Sequence, residues 1–158
     1  MKKLLFVCTH NACRSVLAEV TANRLGAGRL GAASAGSQPA GRIHPLTLEY
    51  LQGKGVSTEG LKSQSWDDFA DYEPDLVITV CDSAAGEACP LWMGDAAKAH
   101  WGLPDPSRAA EPASAFDAVV DVLERRVAAL LKAPLEELTP AELTSLANQV
   151  GEQEVYRD

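Results

Sequence analysis

The sequence predicts an α/β fold: a single domain built on an open parallel sheet of about four strands with helices on both faces. Three observations predict it. Leu4-Leu5-Phe6-Val7 is apolar at consecutive positions, as an interior strand covered on both faces of a sheet requires. Asp75 to Val80 repeats that signature, with Pro74 at its start and β-branched residues within it. Helical patterns intersperse the strand runs along the chain, and strands alternating with helices imply right-handed crossovers between parallel strands.

The elements follow in order. After the first strand, Leu17, Val20 and Leu25 fall on one side of a helix that opens near Ser15 and ends at Gly26 and Gly28. Gly31 to Gly36 reads as a short strand of small residues. His44-Pro45 opens a second helix carrying Leu48 and Leu51, closed by Gly53 and Gly55. Beyond the strand at 75–80, Lys98 to Leu103 reads as another. Phe116, Val119, Val120, Leu123, Val127, Leu130 and Leu131 then mark a long amphipathic helix. Thr139-Pro140-Ala141-Glu142 is a capping box with proline at the first helical position, and it opens a short C-terminal helix to about Val150. Residues 151–158 read as a polar, loose tail.

At 158 residues, 46% apolar and 23% charged, the chain suits one globular core. Its formal charge of -8 argues against nucleic acid or an anionic membrane as a partner, since either would be repelled. Met1-Lys2-Lys3 precedes apolar residues, yet Thr9-His10-Asn11 interrupts the run, so neither export nor a membrane span is expected and the expected location is cytoplasmic. In that compartment the four cysteines are not expected to form permanent disulfides.

Chemistry concentrates first in Cys8-Thr9-His10-Asn11-Ala12-Cys13-Arg14-Ser15, the bend between a strand and a helix. Backbone N–H groups of such a bend, with the unpartnered first-turn N–H groups of the helix, make a cradle for phosphate-like anions. Residues 9–14 would line it, Arg14 adding a planar fork suited to two oxygens of a tetrahedral anion. Cys8 is placed as a thiolate nucleophile, and Ser15 could donate a hydrogen bond to its sulfur. The plainer alternative is a small apolar cysteine at a strand end. Cys13 reads as packing, pointing away from the pocket.

A second cluster follows the strand at 75–80, where Cys81 and Cys89 enclose seven mostly small residues. Sites in open α/β sheets form outside the carboxyl ends of the strands, so Cys81 should share a rim with Cys8. Zinc is disfavoured because the cysteine spacings match no familiar finger or knuckle, and no metal is expected. Two unrelated surface cysteines remain the bland alternative. A third cluster is Pro104-Asp105-Pro106, a rigidly held carboxyl that suits a proton donor, although Asp-Pro alone is usually a turn.

Cys8-x5-Arg14-Ser15, with Asn11 in the loop and a late Asp105-Pro106, resembles the low-molecular-weight protein tyrosine phosphatase fold family. Cys81, Cys89 and His100-Trp101-Gly102 make it similar, within that family, to the thiol-dependent arsenate reductases of the thioredoxin-coupled branch. The resemblance covers roughly residues 1–132, the expected phosphatase-like domain; residues 133–158 would be a helical extension packed on it or trailing from it. It implies attack of Cys8 on arsenate, proton donation by Asp105, and a relay in which Cys81 attacks Cys8 and Cys89 then attacks Cys81. It also implies no tightly bound cofactor and an external thiol reductant: thioredoxin, with glutaredoxin or glutathione as alternatives. Some relatives hold a monovalent cation near the loop. Asn11 and Glu19 would fit, but Ser63 to Asp67 offers no clearly placed acidic ligand.

Two other functions compete. One is a low-molecular-weight phosphatase whose extra cysteines regulate Cys8; Ser107-Arg108-Ala109-Ala110 after the Asp-Pro pair offers no aromatic wall for a phosphotyrosine ring. The other is an oxyanion or redox sensor that signals through the Cys81–Cys89 segment.

Overall fold

The computed structural model describes residues 1–81 and 96–156. Among these, four parallel strands form one sheet in the order β2-β1-β3-β4: β1 Lys2–Cys8, β2 Leu30–Gly36, β3 Leu76–Thr79 and β4 Ala97–His100. Leu4 to Cys8 is buried at every position, which is why that strand reads as a continuous apolar run. The β1–β3 register sets Val7 opposite Thr79, and Val80 N extends the pairing to Val7 O at 2.9 Å. β3 and β4 are shorter than their apolar runs suggest. Trp101 and Leu103 belong to the core but follow the last strand rather than lying within it.

Four α-helices lie among the described residues, α1 Arg14–Leu25, α2 Pro45–Gly53, α3 Pro112–Leu131 and α4 Pro140–Gln153, with short 3-10 turns at Trp66–Phe69, Pro106–Arg108 and Leu135–Glu137. The buried side of α1 is Val16, Leu17, Ala18, Thr21 and Ala22, with Leu25 exposed. Small alanines, invisible to a search for large apolar residues, let this helix approach the sheet closely. Thr47 and Leu51 are the buried residues of α2, and Leu48 is only half-buried. α3 buries Phe116, Val119, Leu123, Val127 and Leu130 as its periodicity predicts. It also buries Val122 and Arg126, which the predicted stripe omits, whereas Val120 and Leu131 are half-buried.

The Thr139–Glu142 capping box is formed reciprocally, with Thr139 N donating to Glu142 Oε1 at 3.0 Å and Glu142 N to Thr139 Oγ1 at 3.2 Å. α4 continues past Val150 to Gln153, burying Leu143, Ala147 and Val150. The expected loose tail therefore starts too early: Gly151 to Gln153 are helical and Glu154 and Val155 are held by arginines of α3. No helix of the described residues is long and apolar enough to cross a membrane.

Candidate active site

β1 ends at Cys8 and α1 begins at Arg14, so the intervening residues bend at the carboxyl rim of an interior strand. The carbonyls of this bend face outward. Thr9 O accepts Gln38 N at 2.8 Å, His10 O accepts Ala40 N at 2.9 Å and Ser63 Oγ at 2.9 Å, and Ala12 O accepts His44 N at 3.0 Å and Thr47 Oγ1 at 3.2 Å. A trans peptide sets its N–H opposite its C=O. The amides of His10, Asn11 and Cys13 consequently face the interior of the loop, and Asn11 N donates to Cys8 Sγ at 3.2 Å. Together with the first-turn amides of α1 they form a ring of donors around a volume suited to an anion.

Asn11 is the brace of this loop. It is fully buried at a positive φ of 49°, a backbone region that asparagine tolerates better than most residues. Gln64 N donates to its Oδ1 at 2.9 Å, which turns Nδ2 toward Ser15 Oγ at 2.8 Å and Ser34 Oγ at 2.9 Å. Ser34 passes its own proton to Glu19 Oε1 at 2.6 Å. Burial pushes the Glu19 carboxyl above its ordinary range, against the opposing hydrogen bonds from Ser34. Gly36, at the end of β2, lies directly under the loop: a Cβ there would stand 2.5 Å from Thr9 O and 3.1 Å from Asn11 N. Ser34, Gly36 and Gln64 are functional supports that sequence reasoning missed. Their small or polar side chains carry no motif, and only the fold sets them against Asn11.

Cys8 is buried and unpaired, with Ser15 Oγ at 2.9 Å from its sulfur. Arg14 Nη1 donates to Leu103 O at 2.9 Å, tying the fork of the anion loop to the segment that leads into Asp105. Asp105 Oδ1 accepts both Ser107 N at 3.0 Å and Ser107 Oγ at 2.6 Å, and Oδ2 stands 3.6 Å from Arg108 Nε. Burial works to raise the Asp105 carboxyl, but the Ser107 donors with Arg14 and Arg108 outweigh it and hold the group below the ordinary aspartate range. Residues Cys8, His10, Arg14, His44, Asp105 and Arg108 are among those that line one cavity of about 310 Å³. Thr9, Ala12 and Cys13 also line it.

Cys13 is buried and unpaired although it is among the residues lining the cavity, and burial pushes its thiol up to about 12. Cys81 is likewise buried and unpaired, 3.8 Å from Thr9 Oγ1. It lies two residues beyond Thr79, the β3 residue that pairs with Val7. Cys89 lies outside the described residues.

Residues 3–141 match the low molecular weight phosphotyrosine protein phosphatase family. The chain belongs to this family. Among curated phosphatase-family relatives, the arsenate reductase of Staphylococcus aureus strain Newman is 33% identical over 123 residues, 78% of this chain and 91% of the relative. The glutaredoxin arsenate reductase of Synechocystis sp. is 32% identical over 106 residues, 67% of this chain and 79% of that protein. A solved arsenate reductase in the phosphate binding state superposes with a TM-score of 0.71 at 32% identity, covering 84% of this chain and 98% of the other. The thioredoxin-dependent arsenate reductase of Corynebacterium glutamicum gives 0.64 at 29% identity, covering 84% and 61%.

Proposed function

We propose that this phosphatase-family protein reduces arsenate to arsenite. The observation that carries the reading is the second buried thiol, Cys81, on the same rim as Cys8 and beside Thr9 of the anion loop. A phosphatase needs one thiol and a water; a two-electron reduction needs two thiols.

Arsenate, a tetrahedral oxyanion, sits among the inward amides with Arg14 on two of its oxygens. The Cys8 sulfur attacks arsenic and an As–O bond breaks, the departing hydroxyl taking a proton from Asp105. Asp105 rests as a carboxylate in the free protein; the negative charge of the bound anion beside it favours its protonated form. Cys81 then attacks the Cys8 sulfur. A Cys8–Cys81 bond forms, the S–As electron pair returns to arsenic, and arsenite leaves. Cys89 attacks Cys81 as a thiolate, freeing Cys8 and moving the oxidation to Cys81–Cys89, which an external dithiol reduces. Thioredoxin is the reductant we favour, with glutaredoxin or glutathione as the alternative coupling. A relay that must be re-reduced each cycle suits the reducing cytoplasm.

The competing reading is an aryl phosphatase with regulatory cysteines. Among the described residues lining the cavity there is no Phe, Tyr or Trp to face a substrate ring, which favours a small inorganic anion. The deciding experiment supplies arsenate, thioredoxin, thioredoxin reductase and NADPH and follows NADPH loss beside aryl phosphate hydrolysis. Arsenate-dependent NADPH loss is expected. Brisk hydrolysis without such loss, with glutaredoxin and glutathione equally inert, would overturn the reductase reading.

A further inference from the structure

The residues matched by the family end at 141, at the start of α4, yet α4 is joined to the segment that carries Leu103 and Asp105. β4 is the last strand of the sheet in the described residues, and an edge strand leaves alternate N–H groups without a neighbouring strand. Two side chains of α4 answer them. Thr144 Oγ1 accepts Lys98 N and Asn148 Oδ1 accepts His100 N, each at 3.3 Å. Two residues of strand advance about 6.6 Å and four of helix about 6 Å, so the i, i+2 donors and i, i+4 acceptors keep step.

The next residue, Trp101, is completely buried, and its Nε1 donates to Ala147 O of α4 at 2.8 Å. Gly151 of α4 closes on the same indole: a Cβ there would stand 2.9 Å from Trp101 Cδ1 and 3.3 Å from His100 O. The buried Arg126 lies 5.9 Å over the Trp101 ring, and its Nε donates to Glu154 O just past α4 at 2.8 Å. Its Nη1 makes a longer contact of 3.5 Å with Gly102 O. The following carbonyl, Leu103 O, is the one that holds Arg14.

We propose that α4 is a positioning element of the active site: through Trp101 and Arg126 it fixes residues 101–103, and thereby the Arg14 fork and the approach of Asp105. The proposal rests on the anion-site reading of Cys8 to Ser15 and not on arsenate chemistry. Gly151 and Arg126 act through Trp101 and Arg14 and touch no substrate.

Its test measures how inorganic phosphate protects Cys8 of the full-length protein from iodoacetamide, alongside thermal melting and the arsenate KM and kcat. Gly151→Ala adds a methyl against Trp101 while improving helix propensity, and Arg126→Lys keeps the charge but removes the fork. Leu30→Ala, a core substitution in β2 at the far edge of the sheet, controls for general destabilisation. Both test variants should need about fivefold more phosphate for half-protection, the scale of one ordinary hydrogen bond, and show a matching rise in KM. Leu30→Ala should melt earlier and bind phosphate normally. Phosphate binding within twofold of wild type in both test variants would overturn the proposal. So would a loss in Leu30→Ala as large as theirs, or wild type that phosphate fails to protect. Wild type protected by phosphate but inactive on arsenate would sink the reductase reading alone, leaving the positioning role to be decided by the phosphate data.

Discussion

Ser15 accepts the Asn11 side-chain amide at 2.8 Å while its own Oγ stands 2.9 Å from the Cys8 sulfur, so its one proton is available to a Cys8 thiolate, which can only accept. That availability is set two residues away. Gln64 N can only donate, which fixes the Asn11 amide, which in turn makes Ser15 an acceptor on that side. With Asn11 N also donating, the sulfur receives two hydrogen bonds, the environment in which negative charge on it is stabilised.

Removing that hydroxyl should blunt the nucleophile. In Ser15→Ala, iodoacetamide alkylation of Cys8 at neutral pH should slow about tenfold, the scale of one hydrogen bond to a charged group. An unchanged rate would mean that the proton points elsewhere.

Cys13 supplies an internal reference for the same reagent. With its thiol pushed up to about 12 by burial, it should stay unmodified in the folded protein while Cys8 reacts, and become reactive in denaturant. Peptide mass mapping after brief alkylation checks the order; Cys13 reacting as fast as Cys8 in the native state would contradict the raised Cys13 thiol.

The Asp105 clamp predicts a pH dependence. A carboxyl held below its unfolded value contributes stability that is present above the ordinary aspartate range and is lost as pH falls through the depressed folded value. Ser107→Ala removes one of the donors that depress it. Urea melts should find the variant about 1 kcal/mol less stable near neutrality, with the two proteins converging in acid. A gap that widens in acid would reverse the assigned sign.

Gly36 answers to sterics instead of charge. A Cβ 2.5 Å from Thr9 O cannot be accommodated by rotating a side chain, because the obstacle is backbone. Gly36→Ala should cost about 1–3 kcal/mol of stability and abolish protection of Cys8 by phosphate. Normal phosphate protection in this variant would show that the loop can shift without losing its donors.

The relay has its own signature. Given arsenate and no external reductant, Cys89→Ser should complete one half-cycle and accumulate a Cys8–Cys81 disulfide, read by intact and peptide mass spectrometry. Sustained multiple turnover by this variant once thioredoxin, thioredoxin reductase and NADPH are added would remove Cys89 from the mechanism.

What could be read from the sequence was what the chain specifies locally. Leu4 to Val7, the loop to Ser15 and the Thr139 capping box each state their structure within a few residues. Val122 and Arg126 were missed because a helix wedged between other elements buries more than one stripe, and a buried guanidinium looks exposed in any hydrophobic pattern. Leu25 failed in the opposite sense, sitting beyond the reach of the sheet at the end of its helix. The anion loop was legible as a motif, but its support was not. Ser34 and Gly36 of β2, Gln64 and the Leu103 carbonyl come from three separate segments, and only the folded chain brings them to Asn11 and Arg14.

The outward carbonyls of Thr9, His10 and Ala12 carry a consequence for selectivity. Their bonds to residues 38–63 shape the amide ring from outside, so its geometry is set before any anion arrives. A rigid ring matched to a tetrahedral anion offers arsenate little equilibrium advantage over the phosphate that vastly outnumbers it in a cell. Phosphate should therefore act as a competitive occupant, and discrimination becomes kinetic: phosphate enters and leaves unchanged, whereas in the arsenic adduct a second thiol can attack the Cys8 sulfur and leave the S–As electron pair on arsenic.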